Sequence, residues 1–351
     1  MKKRVLAVML TAAMLTAMVT GCGGNKDETA KDANTEEAEE TVEESKELTK
    51  ITISEFRNVS WTTAYVAEEN GFFEEEGLEV EWALYDDGPV AFQGMHGGDS
   101  QFCLLSQEPV LKAQQEGLES TFIYTVLDTR LYGFVSAPEI EEVKDLKGKA
   151  IFAGMQGSAP YSFVSSILKE AGLDPEKDVT FVNMDYGASM AALAAGQIQA
   201  SYINTDNRVE VKQMEVNNLV DTANPEDAEK YLKSDIFPGE IICATTKFVE
   251  ENPETVQAFV NAVSKATEWM DEHTGEEIAK LIGSYYEGMT EDVLAQKMDI
   301  VKSALTETGY IDEESEMAVQ DFCINNSVIN AQIPYADMVN MTFVDEYQKN
   351  K

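Results

Sequence analysis

The sequence predicts an α/β protein whose mostly parallel sheets carry helices on both faces. Short β-rich runs alternate with helix-start signals from Ile51 to about Asp206. The alternation runs twice in similar form, with a break near Ser136, as expected of two βαβ halves. The chain has 351 residues, 44% hydrophobic and 9% aromatic. That is enough to build a core and excludes a wholly disordered protein.

In the first half, Ile51–Ser54 alternates and reads as a strand. Ser60 is placed to cap a helix from Trp61 to Asn70, stopped by Gly71. Leu78–Tyr85 is a second strand, and Asp87-Gly88-Pro89 opens a helix with Pro in its first turn. Ser100–Leu105 is a third strand. Ser106-Gln107-Glu108-Pro109 opens a helix that ends at Gly117. Thr121–Leu127 and Leu131–Ser136 are two more strands.

The second half repeats the pattern. Lys149–Ala153, Val179–Asn183 and Gln199–Ile203 read as strands. Ser158-Ala159-Pro160 opens a helix to Ala171, and Gly187 leads another to Ala195. From about Thr255 the chain turns helical. Val256, Phe259, Val260, Val263 and Ala266 share one face, extended by Trp269 and Met270, which marks a core-facing helix. Met298–Leu305 and Met317–Ile324 read likewise.

Charge excludes several functions. Lys and Arg total 26 against 64 Asp and Glu, a formal net charge of −38. A nucleic-acid binder needs a basic footprint, and this chain carries the opposite field. Direct adhesion to anionic lipid is excluded for the same reason. Cys103, Cys243 and Cys323 have no C-x-x-C spacing and provide no disulfide framework. Cys103 and Cys243 are expected as buried strand residues. His96 and His273 lack ligand-spaced partners, so neither a metal site nor another cofactor is expected.

Any membrane contact should come through the N-terminus. Met1-Lys2-Lys3-Arg4 is a basic start, and Val5–Val19 is an apolar run of signal-peptide length. Val19-Thr20-Gly21-Cys22 resembles a bacterial lipobox, which implies cleavage after residue 21 and lipidation of Cys22. Several acyl carbons on one residue make a strong anchor, at about 0.8 kcal/mol per buried methylene. Residues 23–48 hold ten acidic residues and three lysines with no aromatics. Residues 22–48 therefore read as the lipidated cysteine and a disordered tether.

In parallel α/β sheets ligands sit beyond the carboxyl ends of the strands, where helix N-termini offer free N–H groups. Six loops qualify: Phe56–Trp61, Tyr85–Val90, Ser106–Pro109, Gly157–Tyr161, Asp185–Ser189 and Asn204–Arg208. Asp86, Asp87, Glu108, Asp128, Asp185 and Asp206 stand in or near them against Arg57, Arg130 and Arg208. Trp61, Tyr132, Tyr161 and Tyr186 offer flat faces for a planar ring.

Five stretches in order carry a family resemblance. They are Ala64–Val80, Val143–Lys149, Leu168–Asp174, Ala191–Ala200 and Glu251–Val256. With the lipobox ahead of them, the chain resembles the substrate-binding proteins of ABC importers for nitrate, sulfonates, taurine and thiamine-pyrimidine precursors. The resemblance covers roughly residues 50–275. It implies a two-lobed periplasmic-binding-protein-like fold, each lobe a mostly parallel sheet flanked by helices, with two hinge crossings. Lobe 1 would be 49–133 plus 237–351, and lobe 2 would be 134–236. Crossings are expected near Tyr132–Ser136 and Phe237–Ile241.

The implied function is capture of a small solute between the lobes and delivery to a permease with its ATPase. The protein would be a monomer, exported and anchored by lipid to the outer face of a bacterial cell membrane. A Gram-positive source is expected, because confinement by a tether matters most without a periplasm. From lobe 1 the matching loops nominate Asn58, Ser60, Trp61, Gly88, Pro89, Ser106, Gln107 and Glu108 as ligand contacts. From lobe 2 they nominate Gln156, Gly157, Ser158, Tyr161, Asp185, Tyr186, Asn204 and Asp206. Several, Ser60, Ser106 and Ser158 among them, are equally placed to be helix caps.

The acidic, aromatic loops favour a neutral or cationic heterocycle, such as a thiamine pyrimidine precursor, over a hard anion. A sulfonate, taurine or nitrate binder of the same family is the alternative. An enzyme is a further one, because pyrimidine-precursor synthases and menaquinone-pathway enzymes share this fold. The synthases carry a cysteine-rich run that is missing here. A lipoprotein that senses or adheres without transport is the remaining rival.

Overall fold

The computed structural model describes residues 47–234 and 236–351. The signal peptide, Cys22 and nearly all of the tether lie outside the described residues. Ten strands occur in chain order. They are β1 (Thr49–Phe56), β2 (Leu78–Tyr85), β3 (Phe102–Ser106), β4 (Ser120–Leu127), β5 (Gly133–Ser136), β6 (Ala150–Phe152), β7 (Thr180–Phe181), β8 (Ala200–Ile203), β9 (Asn217–Asp221) and β10 (Glu240–Thr245). Two five-stranded sheets result, ordered β2-β1-β3-β10-β4 and β7-β6-β8-β5-β9.

Each sheet has one reversed strand. β10 runs antiparallel to β3 and β4, and β5 runs antiparallel to β8 and β9, while β1–β2, β1–β3, β6–β7 and β6–β8 are parallel. The reversal follows from connectivity. β4 ends at the interlobe face, so the chain enters the second sheet from that face and β5 runs away from it. β10 returns to the first sheet in the same way. Every other strand delivers its carboxyl end toward the face between the sheets.

Sequence patterns account for most elements. β3 and β4 are buried along their whole length, the pattern of strands covered on both faces. Asp87 accepts from Gly88 N–H to start the helix Gly88–Gly97. Ser158 accepts from Tyr161 N–H to start Ala159–Glu170. Asn204 accepts from Asp206 N–H to start Thr205–Val211. Ser60 is not a cap: Asn58 takes that role, accepting from Ser60 N–H at 2.8 Å to begin a 3₁₀ turn, Val59–Trp61. β9 is absent from the sequence reading because it is polar, and β10 is anticipated only through Cys243 as a buried strand residue, its bounds hidden by the irregular stretch before it.

The long helix Pro253–Glu272 buries Val256, Phe259, Val260, Val263, Ala266 and Met270. Trp269 is half-buried, packs against the core and also stacks on His273. Cys103 and Cys243 are buried free thiols in directly opposed positions of β3 and β10. Both hydrophobic clusters are built from residues 51–344, so the body carries its own core.

The chain passes between sheets twice, between Leu127 and Gly133 and between Asp221 and Glu240. The crossings lie side by side. Thr222 N–H donates to Tyr132 O at 2.8 Å, Phe237 N–H donates to Asp128 O at 2.8 Å, and the Thr222 hydroxyl donates to Arg130 O at 2.6 Å. Arg130 fills the space between them and is wholly buried. Its guanidinium forms a bidentate pair with Glu108, donates to Gly239 O at 3.3 Å, and lies 4.7 Å from the Phe237 ring centre. A Cβ at position 239 would stand 2.1 Å from Arg130 Nε. Glycine is required there because the arginine presses on the backbone.

Candidate binding site

The strand ends and crossings converge on a small cavity between the sheets. Phe56 comes from the end of β1, Ser106 from the end of β3, and Asn204 from just past β8. Tyr132 and Glu240 come from the crossings, immediately before β5 and at the first position of β10. Asn58, Asp87, Gly88, Ser158, Pro160, Tyr186 and Tyr202 complete the wall. The free space is about 20 Å³, room for roughly one water. That space is too small for a ring-sized solute in this arrangement.

Aromatic rings build one side. Tyr132 meets Tyr202 edge-on with centroids 5.0 Å apart, and Tyr186 meets Phe152 edge-on at 5.4 Å. Phe56 is held edge-on by Trp61 at 5.9 Å. Gly154 has φ +71°, and a Cβ there would lie 2.2 Å from the Tyr186 hydroxyl. That close approach fixes the Tyr186 ring against the cavity.

Two carboxylates supply the charge, and the wall contains no Lys, Arg or His. Glu240 accepts from the Tyr132 hydroxyl at 3.1 Å through Oε1. Its Oε2 is buried without a protein partner. Burial pushes the Glu240 carboxyl up to about 7, against the opposing pull of Arg130 and of the Tyr132 hydroxyl. Asp87 is also raised, chiefly by burial, while hydrogen bonds from Gly88 and Met155 N–H and from Tyr186 pull it back. Because Met155 and Tyr186 belong to the second sheet's half, Asp87 is already bridged across the cavity. The chemistry on offer is acceptor-rich and flat-faced. It suits a planar solute with N–H donors or positive charge.

Six nominated residues line this cavity: Asn58, Gly88, Ser106, Ser158, Tyr186 and Asn204. The others lie elsewhere. Trp61 is fully buried behind Phe56, with its indole N–H unpartnered. Ser60 is buried, and Pro89 is half-buried beside the wall. Gln107 is turned to the second crossing, where its amide donates to Pro238 O at 2.5 Å. Glu108 is committed to Arg130. Gln156, Gly157 and Tyr161 line a separate outer groove of about 350 Å³ with Lys112 and Lys169. Asp185 is exposed at the start of the turn Tyr186–Ala188. Asp206 lies off the cavity on an open groove with Arg57, Tyr285 and Tyr286, where it feels the charge of Lys297.

Phe56, Asp87, Tyr132, Pro160, Tyr202 and Glu240 are cavity residues that the loop reading did not nominate as contacts. Asp87 and Tyr132 stood in its charge and aromatic inventories, and Phe56 opens one of its loops. Pro160 lies inside a predicted loop, and Tyr202 lies one residue before a predicted strand end. Glu240 had no local signal, since it depends on β10 entering the first sheet from the cavity side. Among the described residues no cluster of three or more His, Cys, Asp or Glu could hold a metal ion.

Known proteins place this geometry. The family model described as NMT1/THI5 like matches residues 58–277. The chain belongs to the NMT1/THI5-like family. YtlA of Bacillus subtilis is 23% identical over 87% of this chain and 91% of its own length. The formylaminopyrimidine-binding protein of Halalkalibacterium halodurans is 28% identical over 71% of this chain and 72% of its own. The solved alkanesulfonate-binding protein SsuA of Xanthomonas axonopodis pv. citri, bound to MOPS, superposes with a TM-score of 0.66 at 16% identity. It covers 83% of this chain and 98% of its own, and shares the fold. This NMT1/THI5-like chain is thus a solute-binding protein of the ABC-importer kind with the periplasmic-binding-protein fold.

Proposed function

We propose that the protein is a lipid-anchored receptor that captures an N–H-bearing heterocycle, of the thiamine-pyrimidine-precursor kind, and hands it to an ABC permease and its ATPase. Lobe 1 is 49–133 plus 237–351, lobe 2 is 134–236, and the solute is held between them by a monomeric receptor. One observation carries the choice of solute: the buried, partnerless Oε2 of Glu240 on a wall without cations. A buried acceptor left unmade costs about 1–3 kcal/mol, which a donor on the solute would recover. A sulfonate would instead bring its own acceptors against Glu240 and Asp87. The likeness to a formylaminopyrimidine-binding protein agrees with this reading.

The role is binding rather than catalysis. Of the two histidines, His96 bonds to Ser120 and His273 to Trp269 O, both away from the cavity. The deciding experiment is a thermal-shift screen of the body with formylaminopyrimidine, other heterocycles, taurine, alkanesulfonates and nitrate. A solute at a hundredfold excess over its Kd adds about 2.7 kcal/mol to the folded state. A pyrimidine hit supports the proposal, whereas shifts with taurine or sulfonates alone reject the choice of solute. Anchoring is tested separately with Cys22→Ser, which should release the protein from membranes into the medium.

A further inference from the structure

We propose that Lys297 is an interlobe latch that sets solute affinity without touching the solute. It lies on the helix Glu291–Lys302, which packs on Gly275–Ile282 and the 3₁₀ turn Val59–Trp61 of its own half and, across the lobes, on Thr205–Val211. The first two contacts tie it to the first sheet's half. Its side chain is 2% exposed. The partners of its ammonium come from the other half. Both lie on the helix Thr205–Val211 that follows β8. Glu210 Oε1 is 3.4 Å away on a side chain that stays 53% exposed, and Asp206, one turn earlier, feels the same charge. Asp206 also accepts from Val59 N–H.

The latch and the cavity share their loops. Asn58 lines the cavity and the next residue, Val59, meets Asp206. Asn204 lines the cavity, and two residues on Asp206 meets Val59 and Lys297. The same approach that brings Asn58 and Asn204 to a solute therefore brings Asp206 to its partners. A buried ion pair adds little net stability but strongly penalises arrangements that separate its members while leaving one buried. Here it is the closed form that buries Lys297, so removing the lysine or Asp206 leaves an uncompensated charge in the closed form alone and favours the open one, in which water reaches these groups. The latch accordingly tunes the balance of open and closed forms, and apparent affinity scales with the fraction closed.

The inference rests on the lobe-closure reading, and the experiment separates the two. Glu79 and Lys177 are exposed positions in opposite halves, and the described cysteines are all buried. Spin labels on Glu79→Cys and Lys177→Cys report the interlobe distance in the folded body. The latch predicts that Lys297→Met and Asp206→Asn lower the closed-to-open ratio at least tenfold. Formylaminopyrimidine affinity should weaken by the same factor with unchanged stoichiometry. Lys297→Arg should restore both. Distances that shift on adding formylaminopyrimidine, yet are identical in wild type and Lys297→Met, overturn the latch and leave closure standing. One fixed distance in every protein overturns the latch, and overturns closure with it where titration shows formylaminopyrimidine bound.

Discussion

Replacing Glu240 by Gln should move stability and affinity in opposite directions. The side chain keeps its shape, and its retained oxygen can still accept from the Tyr132 hydroxyl. What changes is Oε2, which is buried and partnerless in the solute-free protein. Near pH 8 the native carboxylate is charged, because its pKa is about 7. An amide there removes a buried charge, so the solute-free variant should gain about 1–2 kcal/mol. For a body of this size that raises Tm by about 1.5–3 °C. The N–H-bearing solute loses a charge-assisted hydrogen bond of about 1.5–3 kcal/mol, a drop of about 10- to 150-fold in affinity. Calorimetric titration with formylaminopyrimidine, alongside thermal melts at pH 8, reads both quantities. A variant that melts lower and binds formylaminopyrimidine normally would refute the role of Oε2. Tighter taurine or sulfonate binding in the variant would show that the native cavity takes an anion.

Other perturbations follow from the same geometry. Arg130→Met strands Glu108 as a buried charge and should cost about 3–5 kcal/mol in urea unfolding. Adding Glu108→Leu should recover most of that loss, and a double variant as unstable as the single would contradict it. Gly154→Ala drives a Cβ into the Tyr186 hydroxyl at a positive φ. It should weaken formylaminopyrimidine binding about tenfold and cost about 1 kcal/mol or more of stability, both measurable by titration and melting. Stability should also fall as pH rises from about 5 to about 8. Burial raises Asp206 to about 6, Glu55 and Glu240 to about 7, and Glu316 to about 8. A raised folded pKa means the folded protein holds protons that the unfolded chain has already released. That contribution is full below the unfolded values and is lost through the folded ones. A flat or rising denaturation midpoint over that range would refute the assignment.

The sequence by itself determined the elements and their class. Period-two runs such as Ile51–Ser54, capping residues such as Asp87 and Ser158, and glycines at helix ends are local signals. Each is set by backbone sterics or by a hydrogen bond to a residue nearby in the chain. Six cavity residues were legible for the same reason, since they stand where a strand ends and a helix begins. Tertiary structure alone decided which acids face the solute. Six acids stand in or near the loops, and only Asp87 lines the cavity. Glu108 is consumed by Arg130, and Asp206 is drawn to Lys297 some ninety residues away in sequence. Glu240 enters only because β10 crosses back from the far half and begins at the cavity. Pairings across such separations depend on how the two sheets meet, and no local pattern encodes that meeting.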